Sequence, residues 1–229
     1  MSLIKPSIVL FDMDGTTVRH INPKMLAFLE KLDDISHNLA MFCNYVTFGC
    51  KKRQNVHATP LKHSPSVGIH KAIHSIRRRP VNKIVQPCPG IFTLLDFLKN
   101  RNIPIGLLSN GLGKGYGHDV LETFGLAPYY SAVTFREDIR FSKPHPKPVL
   151  MTIDKIRLLQ SSREVVWYIG DQHKDVTAAI AASDYFKGTI IPFAYGFNAS
   201  MAILERGLSR ETIILNYNEF TNRIMPLFT

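Results

Sequence analysis

The stretch VLFDMDGTTVRH, residues 9–20, begins like a buried strand and ends in a cluster of polar groups. The apolar run Ile8-Val9-Leu10-Phe11 stops at two carboxylates one residue apart, Asp12 and Asp14, and Gly15, Thr16 and Thr17 follow at once. Asp and Gly are common turn formers, so a plain strand-ending turn accounts for the composition. The same residues suit an active site at the C-terminal edge of a parallel sheet, where ligands gather. The remainder of the chain distinguishes the two.

After residue 88 helical and strand patterns alternate. A helix is expected from about Pro89 to Asn100, then the strand IPIGLLSN, a helix through HDVLETFGL and the strand SAVTF. Another helix covers roughly Pro146 to Leu159, followed by EVVWYIGD, the helix KDVTAAIAAS and the strand GTIIPFAY. Strands separated by helices of this length imply right-handed crossovers and a parallel sheet, hence an α/β fold. Each apolar run is continuous rather than alternating, as expected of strands covered on both faces.

Residues 19–88 differ in composition. They hold twelve Lys or Arg against three acids, a charge of +9 out of +10 for the whole chain, and six of the nine histidines. Segments 23–42 and 67–79 carry apolar residues at helical spacing, so a small helical insertion is expected there. The chain of 229 residues, 45% apolar, is long enough to bury a substantial core. No run approaches the length of a membrane span and no signal-like segment opens the sequence, so a cytoplasmic protein is expected. Cys43, Cys50 and Cys88 lack metal-ligand spacing and fit reduced thiols.

In a parallel sheet, polar residues ending several apolar runs converge. Four such ends are present: Asp12 with Asp14; Ser109 with Asn110; Lys143-Pro144 after SAVTF; and Asp171 with Asp175 after WYIG. Any one of them has an ordinary explanation as a turn, a solvated charge or a helix cap. All four in one chain point to a site. Three carboxylates in one cleft repel unless a cation lies among them, and a hard oxygen site suits Mg²⁺, with Asp12 and Asp171 as direct ligands. Lys143 is suited to neutralise an anionic group and hold Asp12 ionised, and Ser109 with nearby backbone N–H groups to bind phosphoryl oxygens. The run GLGKGYG, residues 111–117, fits no nucleotide-binding pattern and is read as a glycine-rich loop opening a helix beside Ser109.

The four motifs, Asp12-Met13-Asp14-Gly15-Thr16, Ser109-Asn110-Gly111, Lys143-Pro144 and Gly170-Asp171-Gln172-His173-Lys174-Asp175, together resemble those of the haloacid dehalogenase superfamily, and within it phosphatases of the phosphoglycolate-phosphatase type. The resemblance implies a Rossmann-like core at 1–18 and 89–229, with 19–88 as an inserted helical cap. It implies that Asp12 attacks phosphorus to form an aspartyl-phosphate, and that Asp14 protonates the leaving alcohol and then activates water. It further implies Mg²⁺ held by Asp12, the Asp14 backbone carbonyl and Asp171, with Asp175 in support. Substrate contacts would come from Ser109, Asn110, Gly111 and Lys143, with Arg19 and His20 facing the cleft. The expected substrate is a small phosphorylated metabolite: phosphoglycolate-like, a sugar phosphate or a nucleotide monophosphate. The expected assembly is a monomer or homodimer.

Other activities separate on single features. A dehalogenase needs no acid at position 14, and a phosphonate hydrolase would be expected to lack it. A sugar phosphomutase keeps every motif and stays open. A nucleic-acid-binding or regulatory module would use the basic insertion, and leaves the four converging motifs unexplained.

Overall fold

The computed structural model describes residues 3–21, 80–157 and 163–228. Residues 1–19 and 80–229 group into one compact unit and 20–79 into another. The helical segments expected within 23–79, with their basic clusters and two cysteines, lie outside the described residues.

Among the described residues the chain forms β1 (Ile8–Asp12), β2 (Val18–His20), β3 (Val85–Pro87), α1 (Ile91–Lys99), β4 (Ile105–Leu108), α2 (His118–Thr123) and β5 (Ala132–Thr134). It continues through α3 (Lys147–Ile156), β6 (Val165–Gly170), α4 (His173–Ser183), β7 (Thr189–Tyr195), α5 (Phe197–Glu205), β8 (Ile213–Ile214) and α6 (Tyr217–Ile224). Six strands make a parallel sheet in the order β5-β4-β1-β6-β7-β8. The chain moves outward from β1 through β4 to β5, then returns to β6 and leaves the other way. The order therefore switches beside β1, where α/β sheets bind ligands.

Side-chain alternation splits the core. Val9 and Phe11 of β1, with Leu107, Trp167 and Phe193, pack under α1, α2 and α6. Ile8 and Leu10, with Val166 and Tyr168, pack under α3 and α4. Both faces are covered, which is why the strands read as unbroken apolar runs. Helix α1 shows how the covering forms: Ile91, Leu94, Leu95 and Leu98 recur at three- and four-residue spacing and are all buried. Asp12 shares the parity of Ile8 and Leu10, so its side chain turns toward α3 and α4. That direction decides its partners.

The α/β reading holds, and each strand and helix expected after residue 88 forms within a few residues of its expected place. Elements absent from that reading are α5 and α6, which follow the last expected strand, and several short strands. β2 and β3, three residues each, make a small sheet of their own, and β3 lies within the stretch read as insertion. β8 has two residues at the sheet edge.

Candidate active site

β1 delivers Asp12 to the centre of the sheet's C-terminal edge, between β4 and β6. The Lys143 ammonium, on the loop before α3, donates to Asp12 Oδ1 at 2.5 Å and pairs with Asp175 Oδ1 at 2.7 Å. It also donates to the Tyr168 hydroxyl at 3.0 Å, and that hydroxyl donates to Asp175 Oδ1 at 3.0 Å. Asp12, Lys143, Tyr168 and Asp175 are all buried. Burial opposes the ammonium, but Asp12 and Asp175 outweigh it and hold Lys143 well above the ordinary lysine range. Burial pushes the Asp12 carboxyl up to about 8, with Lys143 pulling down and Asp175 and Asp171 adding to the rise.

The loop after β1 turns sharply because Gly15 adopts φ +87°. A Cβ at this position would overlap the Asp171 carboxylate, so the glycine also lets the end of β6 approach the loop. Thr17 donates to the Asp12 carbonyl at 2.7 Å, and the Tyr217 hydroxyl donates to the Thr16 carbonyl at 2.9 Å. Asp14 is thus carried on a braced turn. Its Oδ1 accepts from the Tyr116 hydroxyl at 2.5 Å. Cys88 lies under the same turn, where burial pushes its thiol up to about 12, which suits an inert structural residue.

At the end of β4 the buried Ser109 hydroxyl accepts from the Gly111 amide at 3.0 Å. Asp14 Oδ2 lies near Gly111: a Cβ added to that glycine would stand 3.6 Å from this oxygen. Asn110 is engaged elsewhere. Its amide accepts from the Lys143 backbone N–H at 2.9 Å and donates to the Lys143 carbonyl at 3.1 Å, a clamp on the loop that bears the lysine. Arg19 and His20 lie on β2. Arg19 is exposed, and its guanidinium donates from Nε and Nη2 to the Gln86 amide oxygen at 3.0 and 3.1 Å.

Asp12, Asp171 and Asp175 each offer a carboxylate oxygen within 4.8 Å of the others. Asp14 is not among these side chains. One ammonium faces three carboxylates, and the surplus of negative charge fits a hard divalent cation. Burial pushes Asp171 up to about 6, Gln172 pulls down through its 2.8 Å hydrogen bond, and Asp175 adds to the rise.

The structure brings Asp12, Asp14, Ser109, Gly111, Lys143, Asp171 and Asp175 to one edge. Two participants escape sequence reading. Tyr168 sits inside an apolar run and passes for a core aromatic, and Tyr116 hides in a glycine-rich loop. No helix among the described residues is long and apolar enough to cross a membrane.

Comparisons agree with this geometry. Residues 9–184 match the family model described as haloacid dehalogenase-like hydrolase. Pyrophosphatase PpaX of Oceanobacillus iheyensis is 31% identical over 110 residues, 48% of this chain and 49% of the relative. Phosphoglycolate phosphatase of Escherichia coli is 29% identical over 115 residues, 50% of this chain and 42% of the relative. The chain thus spans about half the length of the curated relatives it matches. Among solved structures, a HAD-superfamily hydrolase from Ehrlichia chaffeensis superposes with TM-score 0.62 at 22% identity, covering 100% of both chains. A β-phosphoglucomutase from Clostridium difficile gives 0.62 at 17%, covering 98% of this chain and 97% of its own. These likenesses establish a shared fold, and the family match over most of the chain, with its four motifs meeting at one sheet edge, makes this protein a member of the haloacid dehalogenase-like hydrolases.

Proposed function

We propose that the protein is a Mg²⁺-dependent phosphatase that hydrolyses a small phosphorylated metabolite through an aspartyl-phosphate on Asp12. The observation that carries this reading is the meeting of Asp12, the Lys143 ammonium and the Asp171–Asp175 carboxylates within a few ångströms, with Asp14 turned toward Gly111. Asp12 serves as nucleophile, and Lys143 pulls its buried carboxyl toward the ionised form and offsets charge on the phosphoryl group. Asp14 protonates the leaving alcohol and later takes a proton from water. Ser109 and the Gly111 region bind phosphoryl oxygens, while Asn110 fixes the lysine loop. Mg²⁺ would be held by Asp12, Asp171 and the Asp14 carbonyl, with Asp175 in support, and would supply neutralisation of phosphoryl charge.

The names of the matched relatives, a pyrophosphatase and phosphoglycolate phosphatases, favour hydrolysis of phosphate bonds. In this reading residues 1–18 and 89–229 form the catalytic core and 19–88 the inserted helical cap, whose +9 charge suits an anionic substrate. Arg19 and His20 stand where the chain enters that segment and are assigned to substrate choice. A cytoplasmic site of action goes with reduced thiols.

The deciding experiment is release of inorganic phosphate from an aryl phosphate and from a panel of phosphorylated metabolites, with Mg²⁺ and with chelator. Chelator-sensitive release is expected. Conversion of a hexose phosphate into its isomer without free phosphate would instead show a mutase, and no turnover of either kind would refute the enzyme reading.

The metal assignment has its own test in pH. A carboxyl raised in the fold contributes stability below its ordinary value of about 4, and that contribution is lost as pH rises through the folded value. With Asp12 up to about 8 and Asp171 up to about 6, the metal-free core loses stability across this window, while the ionised carboxylates that hold Mg²⁺ become populated. At a Mg²⁺ concentration a hundredfold above the dissociation constant at pH 8.5, the gain in Tm is expected to be about 5–10 °C at that pH and small near pH 5.5, where binding weakens. Thermal melts check this, and equal gains at the two pH values would contradict it.

A further inference from the structure

Residues 111–117, Gly-Leu-Gly-Lys-Gly-Tyr-Gly, match no phosphate-binding pattern, and the phosphatase reading uses only the first of them. The rest of the loop is nevertheless tightly held. Successive amides of Gly113 and Lys114 donate to the two carboxylate oxygens of Glu137 at 2.9 and 3.0 Å. Gly113 and Gly117 lie against the Phe135 ring so closely that a Cβ on either would overlap it. Pinned by Glu137 and seated on Phe135, the loop sends Tyr116 inward, where only 7% of it is exposed. The hydroxyl of Tyr116 ends at Asp14 Oδ1, 2.5 Å away. The other oxygen of Asp14, Oδ2, lies on the side of Gly111 and the Ser109 hydroxyl.

We propose that Tyr116 is the positioning residue for Asp14: its hydroxyl holds Oδ1 and so presents Oδ2 to the leaving oxygen of the substrate. The proposal rests on the phosphatase reading. In the first half-reaction an Asp12 oxygen bonds to phosphorus as the bond from phosphorus to the leaving oxygen breaks. The proton on Asp14 Oδ2 passes to that oxygen, and Asp14 is left as a carboxylate. Its new charge is met by an O–H already donating to Oδ1, so no group has to reorient. A carboxylate without this restraint rotates about its last bond and divides its time between two oxygens. Gly113 and Gly117 therefore serve the loop's close approach to Phe135, and that approach serves Asp14.

Tyr116→Phe keeps the ring and removes only the donor. An alkyl phosphate needs a proton on its leaving alkoxide, whereas p-nitrophenyl phosphate releases a stable phenolate unaided. The kinetic constant kcat/KM reports events up to the first phosphoryl transfer. For Tyr116→Phe it is expected to fall about 10- to 100-fold on the alkyl ester and less than about threefold on the p-nitrophenyl ester. The ratio of the two, taken on one preparation, does not depend on how much of the protein is folded. Glu137→Gln, which weakens the loop's anchor and leaves Tyr116 in place, is expected to move the ratio the same way by less, and it decides the matter if Tyr116→Phe does not fold. Equal losses on both esters, or none on either, would overturn the role of Tyr116 and leave the phosphatase reading standing. A wild-type protein that hydrolyses neither ester would overturn that reading, and this role with it.

Discussion

Asp12→Asn is expected to abolish phosphate release while leaving the fold in place. Asparagine matches aspartate in shape and its amide oxygen can still accept from Lys143, so the buried contact at 2.5 Å keeps a partner. What disappears is the nucleophile. Removing a covalent nucleophile from a constellation that acts as a unit costs on the order of 10⁴-fold or more in kcat, because the remaining groups have no intermediate to stabilise. The stability term is small for a specific reason: burial holds the Asp12 carboxyl up to about 8, so carrying its charge in the fold is costly, and the amide removes that cost along with part of the attraction to Lys143. Phosphate release and a thermal melt of the same preparation check both halves. Unchanged turnover would eliminate Asp12 as nucleophile.

Lys143→Met should damage both activity and stability. The ammonium is buried, pairs with Asp12 and Asp175, and also donates to Tyr168. Methionine fills the channel of the stem but leaves two buried carboxylates without their cation. Breaking a buried pair in this way costs about 3–5 kcal/mol, which for a chain of this size lowers Tm by roughly 10 °C. The deficit should shrink in acid, where the buried Asp12 carboxyl, already held up to about 8, is protonated and no longer needs the ammonium. Turnover is expected to fall by at least about 10²-fold, the scale seen when one preorganised charge is removed from an active site. Arginine should not rescue it, since a planar fork cannot take the place of a point charge between Asp12, Asp175 and Tyr168. A variant with wild-type Tm and turnover would show that the lysine is dispensable.

Much of the architecture was legible in residues 8–12 and their counterparts, because a strand covered on both faces must be apolar throughout and a carboxylate ending it must have company. Ile8 to Phe11, Ile105 to Leu108 and Val166 to Ile169 announce themselves in this way. The positions of Asp12, Ser109, Lys143 and Asp171 obey the same logic. What stays hidden depends on contacts between residues distant in sequence. Tyr168 reads as one more aromatic in VVWYIG, since only the fold shows that its hydroxyl comes between Lys143 and Asp175. Asn110 looks like a phosphate ligand beside Ser109, and its commitment to the Lys143 backbone, 33 positions away, has no local signature. β2 and β3 are too short for any period to show, and β8 has only two residues.

The Tyr217 hydroxyl meets the Thr16 carbonyl across 201 positions of sequence. The ring of Tyr217 stacks on Tyr195 with centroids 4.3 Å apart, so this part of the brace under the Asp14 turn is assembled from residues made long after that turn. During synthesis Asp12 and Asp14 emerge before the strands that flank them and before Tyr217. A growing chain therefore carries the reactive groups in an unarranged state while the 201 positions from Thr16 to Tyr217 are made. Catalytic competence arrives late, when the stretch around Tyr217 has left the ribosome and docked.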